Sequence, residues 1–154
     1  MAKSSAKTFP ATLDAMAEAL AFLDGALEGG GCPPAAQAKL DVIFDEVCSN
    51  IVKHSGAREF EVKVGFAVDP TGIGLTFSDD GVPYDPLAHV DPDTTLSAED
   101  RPIGGLGIFM VKKMADAVSY ERVGGRNVFA VFKAAELPEL EERSGHAGAN
   151  GEAK

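Results

Sequence analysis

Residues 59–78 read EFEVKVGFAVDPTGIGLTFS, and apolar side chains alternate there with polar or small ones on either side of a central turn. The apolar positions recur at every second residue between positions 60 and 68 and again between 73 and 77. A period of two is typical of a strand with one buried face. Since residues 69–72 supply turn chemistry between the two halves, the stretch predicts an antiparallel hairpin.

Two amphipathic helices are predicted upstream of this hairpin. The first carries Leu or Met at steps of three and four between positions 13 and 27, with Thr12 as its N-cap and glycines 29–31 at its end. The second begins at prolines 33–34 and ends at Gly56. Its apolar stripe consists of Leu40, Ile43, Val47 and Ile51.

Downstream of the hairpin, the pattern changes again. Residues 85–103 are rich in proline and acidic side chains and lack periodicity, which predicts a long loop, and such loops in compact domains are usually functional. A helix with a wide apolar face is predicted over residues 106–115. A final hairpin follows between positions 118 and 132, with its turn at Gly124-Gly125, and residues 7–10 predict a short edge strand.

The composition suits one globular domain of 154 residues, 45% of them hydrophobic. A formal net charge of −10 repels polyanions, so we expect no nucleic acid and no anionic membrane surface among the partners. No stretch approaches the ~18 apolar residues of a membrane span, which predicts a soluble cytoplasmic protein. Cys32 and Cys48 lack the spacing of paired ligands, so two buried or idle thiols are expected instead of a disulfide or a zinc site.

Glu46 and Asn50 lie four positions apart on the second predicted helix and therefore share one face, beside the apolar stripe. A carboxylate beside a pocket can orient or deprotonate a hydroxyl, and an amide oxygen is a hard ligand that suits Mg²⁺. His54 continues the same face and either caps the helix or lines the pocket. An isolated pair of this kind is more often a solvated helix face, so the pair gains meaning only from the other motifs.

The turn SDDGVP, residues 78–83, follows the second strand directly. An Asp held at a strand end, as Asp79 is, can accept a hydrogen bond from an exocyclic amine such as that of adenine. The neighbouring Gly81 lets a flat ring lie close to the backbone. The alternative is an ordinary Asp/Gly turn without a ligand.

A glycine-rich stretch, Gly104-Gly105-Leu106-Gly107, precedes the third predicted helix. Unpaired backbone N–H groups at a helix start attract phosphate, and glycine permits close approach. The stretch lacks the Lys-Ser/Thr ending of a P-loop and does not match the dinucleotide fingerprint. A plain glycine hinge is the alternative. Arg101 can reach a terminal phosphate, although a surface arginine explains it equally well.

These motifs occur in a recognisable order: E-x-x-x-N on a helix, D-x-G-x-P after a hairpin, a long loop, and GGLGI at a helix start. The order resembles the GHKL (Bergerat) ATP-binding domain of gyrase, histidine kinases and anti-sigma factor kinases. The stretches FDEVCSNIVKHSG, SDDGVPYDP and GGLGIFMVKKMAD look most like the bacterial anti-sigma factor serine-protein kinases. The resemblance covers residues 8–134, leaving residues 135–154 as an acidic, Gly/Ala-rich tail that we expect to be disordered.

The resemblance implies an α/β fold, a two-layer sandwich of a mostly antiparallel sheet with helices on one face. It also implies that Glu46 is the general base, that Asn50 binds Mg²⁺ and that Asp79 contacts the adenine amine. Residues 88–104 would form a lid over ATP. The other residues implied at the nucleotide, by position in the motifs, are His54, Gly81 at the floor of the base pocket, Arg101, Gly104, Gly105, Leu106 and Gly107.

Three positions depart from the pattern or leave it ambiguous. Asn127 stands where many relatives have a Thr near the adenine. Pro83 stands where the wider superfamily often has a second glycine. Asp80 is the adjacent candidate if the assignment of Asp79 is off by one.

The implied function is ATP- and Mg²⁺-dependent serine phosphorylation of an anti-sigma-factor antagonist, coupled to sequestration of a sigma factor. A nucleotide-gated binding protein without phosphotransfer is the main alternative. The catalytic domain of a histidine kinase fits less well, because the chain has no room for a phosphoacceptor helix pair. Relatives also suggest a homodimer.

Overall fold

The computed structural model describes residues 3–68, 70–88 and 105–137, and of Lys3, Gly105 and Leu106 it describes the backbone. Strands, helices and one 3₁₀ turn follow one another along the chain. They are β1 (Lys3–Pro10), α1 (Leu13–Gly29), α2 (Pro34–His54), β2 (Glu59–Val68), β3 (Thr71–Asp79), a 3₁₀ turn (Pro86–Ala88), α3 (Gly105–Met114), β4 (Ala117–Val123) and β5 (Arg126–Ala134).

The strands form one antiparallel sheet in the order β1-β2-β3-β5-β4. Its central register pairs Val62 with Phe77, and Phe77 with Phe129. The same register pairs Asp79, at the end of β3, with Asn127, near the start of β5. The sheet therefore brings together two polar residues that are far apart in sequence.

The hydrophobic core lies between one face of the sheet and the helices. Alternate residues of β2, β3 and β5 are buried there against α1 and α2, as the period of two and the stripe of α2 predict. In α1, Leu23 and Leu27 are buried with Ala15 and Ala19, whereas Leu13, at the start of the predicted stripe, is exposed. The largest fully buried side chains include Leu23, Leu27, Leu40, Ile43, Phe44, Phe60 and Phe77. The predicted two-layer α/β sandwich is confirmed.

The ends of the helices follow the predicted capping residues. The Thr12 hydroxyl oxygen accepts a hydrogen bond from the Ala15 N–H at 3.2 Å, so Thr12 is the N-cap of α1. Pro34 is the first residue of α2, where a missing N–H costs nothing. After α2, Gly56 has a φ of +69°, a conformation that favours glycine and ends the helix.

Two strand boundaries differ from the prediction. Val68 pairs with Thr71, so only two residues separate β2 from β3, and the predicted turn over residues 69–72 is too long. Strand β1 begins at Lys3, four residues before the predicted edge strand, and pairs with β2 along its whole length. Residues 4–8 are exposed, which explains why they lack the alternation of a buried strand.

The core extends into the segment that the sequence analysis assigns to the tail. Leu137 is fully buried and belongs to the main cluster, and the Ala135 N–H donates to the Thr71 carbonyl at 3.3 Å. Residues 138–154 lie outside the described part of the chain. Packing therefore reaches at least three residues past the predicted domain boundary.

Candidate functional site

A cavity lies where α2, the start of α3 and the polar ends of β3 and β5 meet. The space between its lining atoms is about 380 Å³ when the part open to solvent is counted. Its wall is mostly apolar and includes Val47, Ile51, Pro86, Ile108 and Phe129, with Asn50, Ser55, Asp79, Tyr84, Tyr120 and Asn127 as its polar members. The polar side chains that are buried in the described ranges, those of Ser55, Asp79 and Asn127, all belong to this wall.

Asp79 is a buried acid in the wall of this cavity. The residue is 4% exposed, and its Oδ1 atom accepts hydrogen bonds from the Gly81 N–H at 2.8 Å and from Asn127 Nδ2 at 3.0 Å. Both bonds fall on Oδ1, and Oδ2 accepts none from the residues described. Oδ2 is therefore available to a hydrogen-bond donor in the cavity.

Asp80 has a different environment from its neighbour. It is exposed, and its Oδ1 atom accepts hydrogen bonds from the Arg58 N–H at 2.8 Å and the Glu59 N–H at 3.3 Å. These backbone donors lower the pKa of the Asp80 carboxyl below its usual value. Asp80 thus ties the end of β3 to the start of β2, and Asp79 is the acid that faces the cavity.

The turn after β3 packs directly on the end of α2. The Val82 N–H donates to the Ser55 carbonyl at 2.9 Å, and a Cβ at Gly81 would overlap that carbonyl oxygen and the Ser55 side chain. The Ser55 hydroxyl in turn donates to the Ile51 carbonyl at 2.8 Å and accepts from the Ala57 N–H at 3.1 Å. Contact with Ser55 is thus a structural reason for glycine at position 81. The expected role of Gly81 at the floor of the base pocket stays a prediction.

Glu46 and Asn50 lie on the same face of α2 and are both half-buried. Asn50 lines the cavity, while a Cβ at Gly107 would overlap Glu46 Oε1, which places that carboxylate against the first turn of α3. Neither side chain makes a hydrogen bond with any residue in the described ranges. His54 lies exposed on the last turn of α2 and is not part of the cavity wall.

The glycine-rich stretch is only partly described. Helix α3 begins at Gly105, as the stretch predicts, and Ile108 on its first turn is buried in the cavity wall. Arg101, Gly104 and the predicted lid beyond Ala88 fall outside the residues that the structure describes, and so does the side chain of Leu106. Their proposed contacts with nucleotide therefore remain predictions.

Asn127 is the centre of a hydrogen-bond network that the sequence analysis missed. Its Oδ1 atom accepts from Tyr84 N at 3.2 Å, the Tyr120 hydroxyl at 2.5 Å and Arg122 Nη1 at 3.2 Å. Its Nδ2 atom donates to Asp79 Oδ1 at 3.0 Å and to the Val82 carbonyl at 2.8 Å. No local signal identifies these partners, because only the pairing of β3, β5 and β4 brings them together.

The two cysteines lie apart from the cavity. Both are buried and free, as predicted, and burial raises the pKa of Cys32 to about 11 and that of Cys48 to about 12. Thiols with such values are poor nucleophiles at neutral pH. In the described part of the chain, no group of three or more His, Cys, Asp or Glu side chains is arranged to hold a metal ion.

Comparison with known proteins identifies the family. The model of the histidine kinase-like ATPase domain, HATPase_c_2, matches residues 9–133. Since this match spans most of the chain, the protein belongs to the histidine kinase-like ATPase domain family. The resemblance to the GHKL domain is confirmed, and with it an ATP-binding type of site.

The chain is also similar to individual proteins. It is 29% identical over 90 residues to the serine/threonine-protein kinase BtrW of Bordetella bronchiseptica, a match that covers 57% of this chain and 63%, less than two thirds, of BtrW. The fold matches the structure of the RsbU and RsbW domains of Rv1364c from Mycobacterium tuberculosis, with a TM-score of 0.64, 16% identity, and coverage of 88% of this chain and 33% of that one. It also matches the SiaB–SiaC complex from Pseudomonas aeruginosa, with a TM-score of 0.54, 16% identity, and coverage of 84% and 88%.

No helix among the described residues is long and apolar enough to cross a membrane.

Proposed function

We propose that this protein is an ATP- and Mg²⁺-dependent serine-protein kinase of the anti-sigma factor type. It phosphorylates an anti-sigma-factor antagonist. It sequesters a sigma factor when it is not bound to that antagonist. The observation that carries the proposal is Asp79, a buried acid whose Oδ2 atom has no hydrogen-bond partner among the described residues, in the wall of a cavity that Asn50 also lines. The name of BtrW as a serine/threonine-protein kinase and the SiaB–SiaC complex support a kinase with a protein partner.

The cavity suits an adenine base. Ile51, Ile108 and Phe129 supply apolar surface for the ring, and Asp79 Oδ2 can accept a hydrogen bond from the exocyclic amine. A hydrogen bond between a donor and a carboxylate in a dry site is stronger than one between neutral groups. A purine without the amine loses this bond.

Asn50 fits a Mg²⁺ ion that is bound mainly through phosphate oxygens. Magnesium usually takes only one or two protein ligands and completes its shell with water and phosphate, and an amide oxygen is an acceptable hard ligand. The half-buried Asn50 side chain has no hydrogen-bond partner in the described ranges, so its oxygen is available. Mg²⁺ bound there would neutralise charge on the transferring phosphoryl group.

Glu46 is the proposed general base for the acceptor serine. The serine oxygen attacks the γ-phosphorus, the bond to the β-phosphate oxygen breaks, and Glu46 takes the serine proton. Its position against Gly107 puts this carboxylate beside the first turn of α3, where backbone N–H groups attract phosphate. Catalysis of this kind depends mainly on positioning and electrostatics, so we expect the precise arrangement of α2 and α3 to matter.

Calorimetric titration with ATP, with and without Mg²⁺, is the first test. We expect Mg²⁺-dependent binding in the wild type and its loss in Asn50→Ala. Asp45→Asn, an exposed carboxylate on the same helix, is the matched control and should bind normally. Absence of ATP binding by the wild type at millimolar nucleotide would contradict the proposal.

Phosphotransfer is tested with γ-labelled ATP and a purified candidate antagonist protein. Wild type should place label on serine, and Glu46→Gln should bind ATP but transfer the label at least ~100-fold more slowly, as expected for a lost general base. Unchanged transfer in Glu46→Gln would exclude Glu46 as the base. ATP-gated binding of the antagonist without any transfer would instead favour the nucleotide-gated binding protein.

A further inference from the structure

The Asn127 side chain uses its full hydrogen-bonding capacity. A side-chain amide offers two acceptor sites and two donors, and Asn127 accepts from three groups and donates to two. The residue is 5% exposed and its bond to Asp79 is buried, while its partners Tyr120 and Arg122 are half-buried and exposed, respectively. Buried networks that are fully satisfied hold their members in one arrangement.

The partners allow only one orientation of this amide. The groups around Oδ1 are the Tyr84 N–H, the Tyr120 hydroxyl and the Arg122 guanidinium, while those around Nδ2 are acceptor oxygens of Asp79 and Val82. A rotated amide would place its NH₂ group against Arg122 and its oxygen against two other oxygens. Tyr120 and Arg122 therefore direct Nδ2 towards Asp79.

The orientation of the Asn127 amide also restrains the Asp79 carboxylate. With Oδ1 held by Asn127 and by the Gly81 N–H, the carboxylate cannot turn without losing two hydrogen bonds, so the position of Oδ2 is fixed as well. Arg122 Nη1 also donates to the Gly81 carbonyl at 2.8 Å, so the same guanidinium holds the turn that supplies the second bond. The donors on β4 thus determine the position of an acceptor on β3.

We propose that Asn127, oriented by Tyr120 and Arg122, is a positioning residue that sets the preference of this site for a 6-aminopurine over a 6-oxopurine. The proposal rests on the proposed function, because it assumes that Asp79 Oδ2 meets the base. A 6-oxo group would face Oδ2 with another acceptor, and the two oxygens would repel each other. Discrimination requires that Asp79 cannot turn aside, and the network provides this restraint.

The test compares the binding of ATP with that of inosine triphosphate, which differs in having a 6-oxo group, in the presence of Mg²⁺. Wild type should bind ATP at least ~10-fold more tightly, as expected for a hydrogen bond to a charged group. Tyr120→Phe keeps the ring in the cavity wall but removes one donor to Asn127. It should reduce this ratio about 3- to 10-fold, mainly through weaker ATP binding.

Ser119→Ala is the matched control, because Ser119 is exposed on the same strand and points to the other face of the sheet. It should leave the ratio unchanged. Asn127→Asp is the second variant. It keeps the shape of Asn127 but turns the donor towards Asp79 into an acceptor, so the ratio should approach one if the variant folds. Tyr120→Phe remains decisive if Asn127→Asp does not fold.

The outcomes separate this inference from the proposed function. A wild type that binds neither nucleotide overturns both. A wild type that prefers ATP, with the same ratio in Tyr120→Phe, retains the nucleotide site but overturns the positioning role. An equal loss of affinity for both nucleotides in Tyr120→Phe also overturns it, because that result reports general damage to the cavity.

Discussion

At the scale of single residues, the adjacent carboxylates Asp79 and Asp80 have separate tasks. Asp79 is buried and leaves one oxygen to the cavity, while Asp80 is exposed and holds two backbone N–H groups at the start of β2. Strand geometry explains the difference, because consecutive side chains point to opposite faces. The pair therefore provides a variant and its control at neighbouring positions.

Asp79→Asn should weaken ATP binding about 10- to 100-fold, as expected for a lost hydrogen bond to a charged group. The new amide would keep its oxygen towards the Gly81 and Asn127 donors, so its NH₂ group would face the adenine amine. Titration calorimetry measures the change. Asp80→Asn should bind ATP like the wild type, and equal losses in the two variants would contradict the assignment of Asp79.

The environment of Asp41 on α2 indicates that the stability of the folded protein depends on pH. Burial, followed by a hydrogen bond with Asp24 and the charges of Asp24 and Glu28, raises the pKa of the Asp41 carboxyl to about 7. The Asp41 Oδ1 atom is buried without a partner in the described ranges. The folded state favours the neutral acid. The contribution of Asp41 to the free energy of unfolding is therefore complete below the unfolded pKa of ~3.9 and is lost as pH rises towards 7.

Asp41→Asn should therefore raise the free energy of unfolding at pH 8 by about 1 kcal/mol, a value reduced for solvent screening because the side chain is partly exposed. Near pH 4 the gain should disappear. Urea unfolding at the two pH values measures it, and Asp45→Asn, exposed on the same helix, is the control. A gain that is equal at both pH values would exclude titration of Asp41 as its cause.

At the scale of secondary-structure elements, the end of α2 and the turn after β3 form one unit. Gly81 lies so close to the Ser55 carbonyl that a side chain there has no space, and the Val82 N–H bonds the same carbonyl. The turn that presents Asp79 is thus supported by the helix that carries Asn50. Any shift of α2 relative to the sheet would move both residues.

Gly81→Ala should lower the free energy of unfolding by about 1–3 kcal/mol, because the added methyl overlaps backbone that cannot move aside. Thermal unfolding measures the loss. Gly74→Ala is the control, since a Cβ there meets no atom within 4 Å and the residue lies in β3, the strand that leads into the turn. A Gly81→Ala variant as stable as wild type would show that the contact with Ser55 relaxes without cost.

At the scale of the whole molecule, the site is formed where all the layers meet. Residues of α2, α3, the 3₁₀ turn and strands β3, β4 and β5 each contribute to the cavity wall. A ligand in such a site binds only the folded chain, so binding and global stability are linked. The nucleotide should therefore stabilise the entire domain.

Mg²⁺-ATP at about 100 times its dissociation constant should raise the free energy of unfolding by about 2.7 kcal/mol. Scanning calorimetry with and without nucleotide measures the rise in the unfolding temperature. Removal of Mg²⁺ by EDTA, or the substitution Asn50→Ala, should abolish most of the shift. A shift that EDTA abolishes but that persists in Asn50→Ala would place the metal elsewhere, and a shift that persists in EDTA would show that binding does not require Mg²⁺.

Much of this molecule is determined by local sequence pattern. The period of two over residues 59–78 and the helical spacing of α1 and α2 predict the layers of the fold, because burial of one face of a strand or helix depends on residues near in sequence. Thr12, Pro34 and Gly56 likewise act within one turn of their own position. The motif order was sufficient to indicate the family, and the family match confirms it.

Only the tertiary structure decided how the site is held together. Asp79 and Asn127 are 48 positions apart, and their hydrogen bond depends on the register of β3 with β5. Tyr120 and Arg122 join them through the pairing of β4 with β5, and Ser55 meets Gly81 because α2 crosses the end of the sheet. Such contacts have no local period. The sequence by itself therefore indicated candidate nucleotide-binding residues, while the packing of strands and helices determines which residues position them.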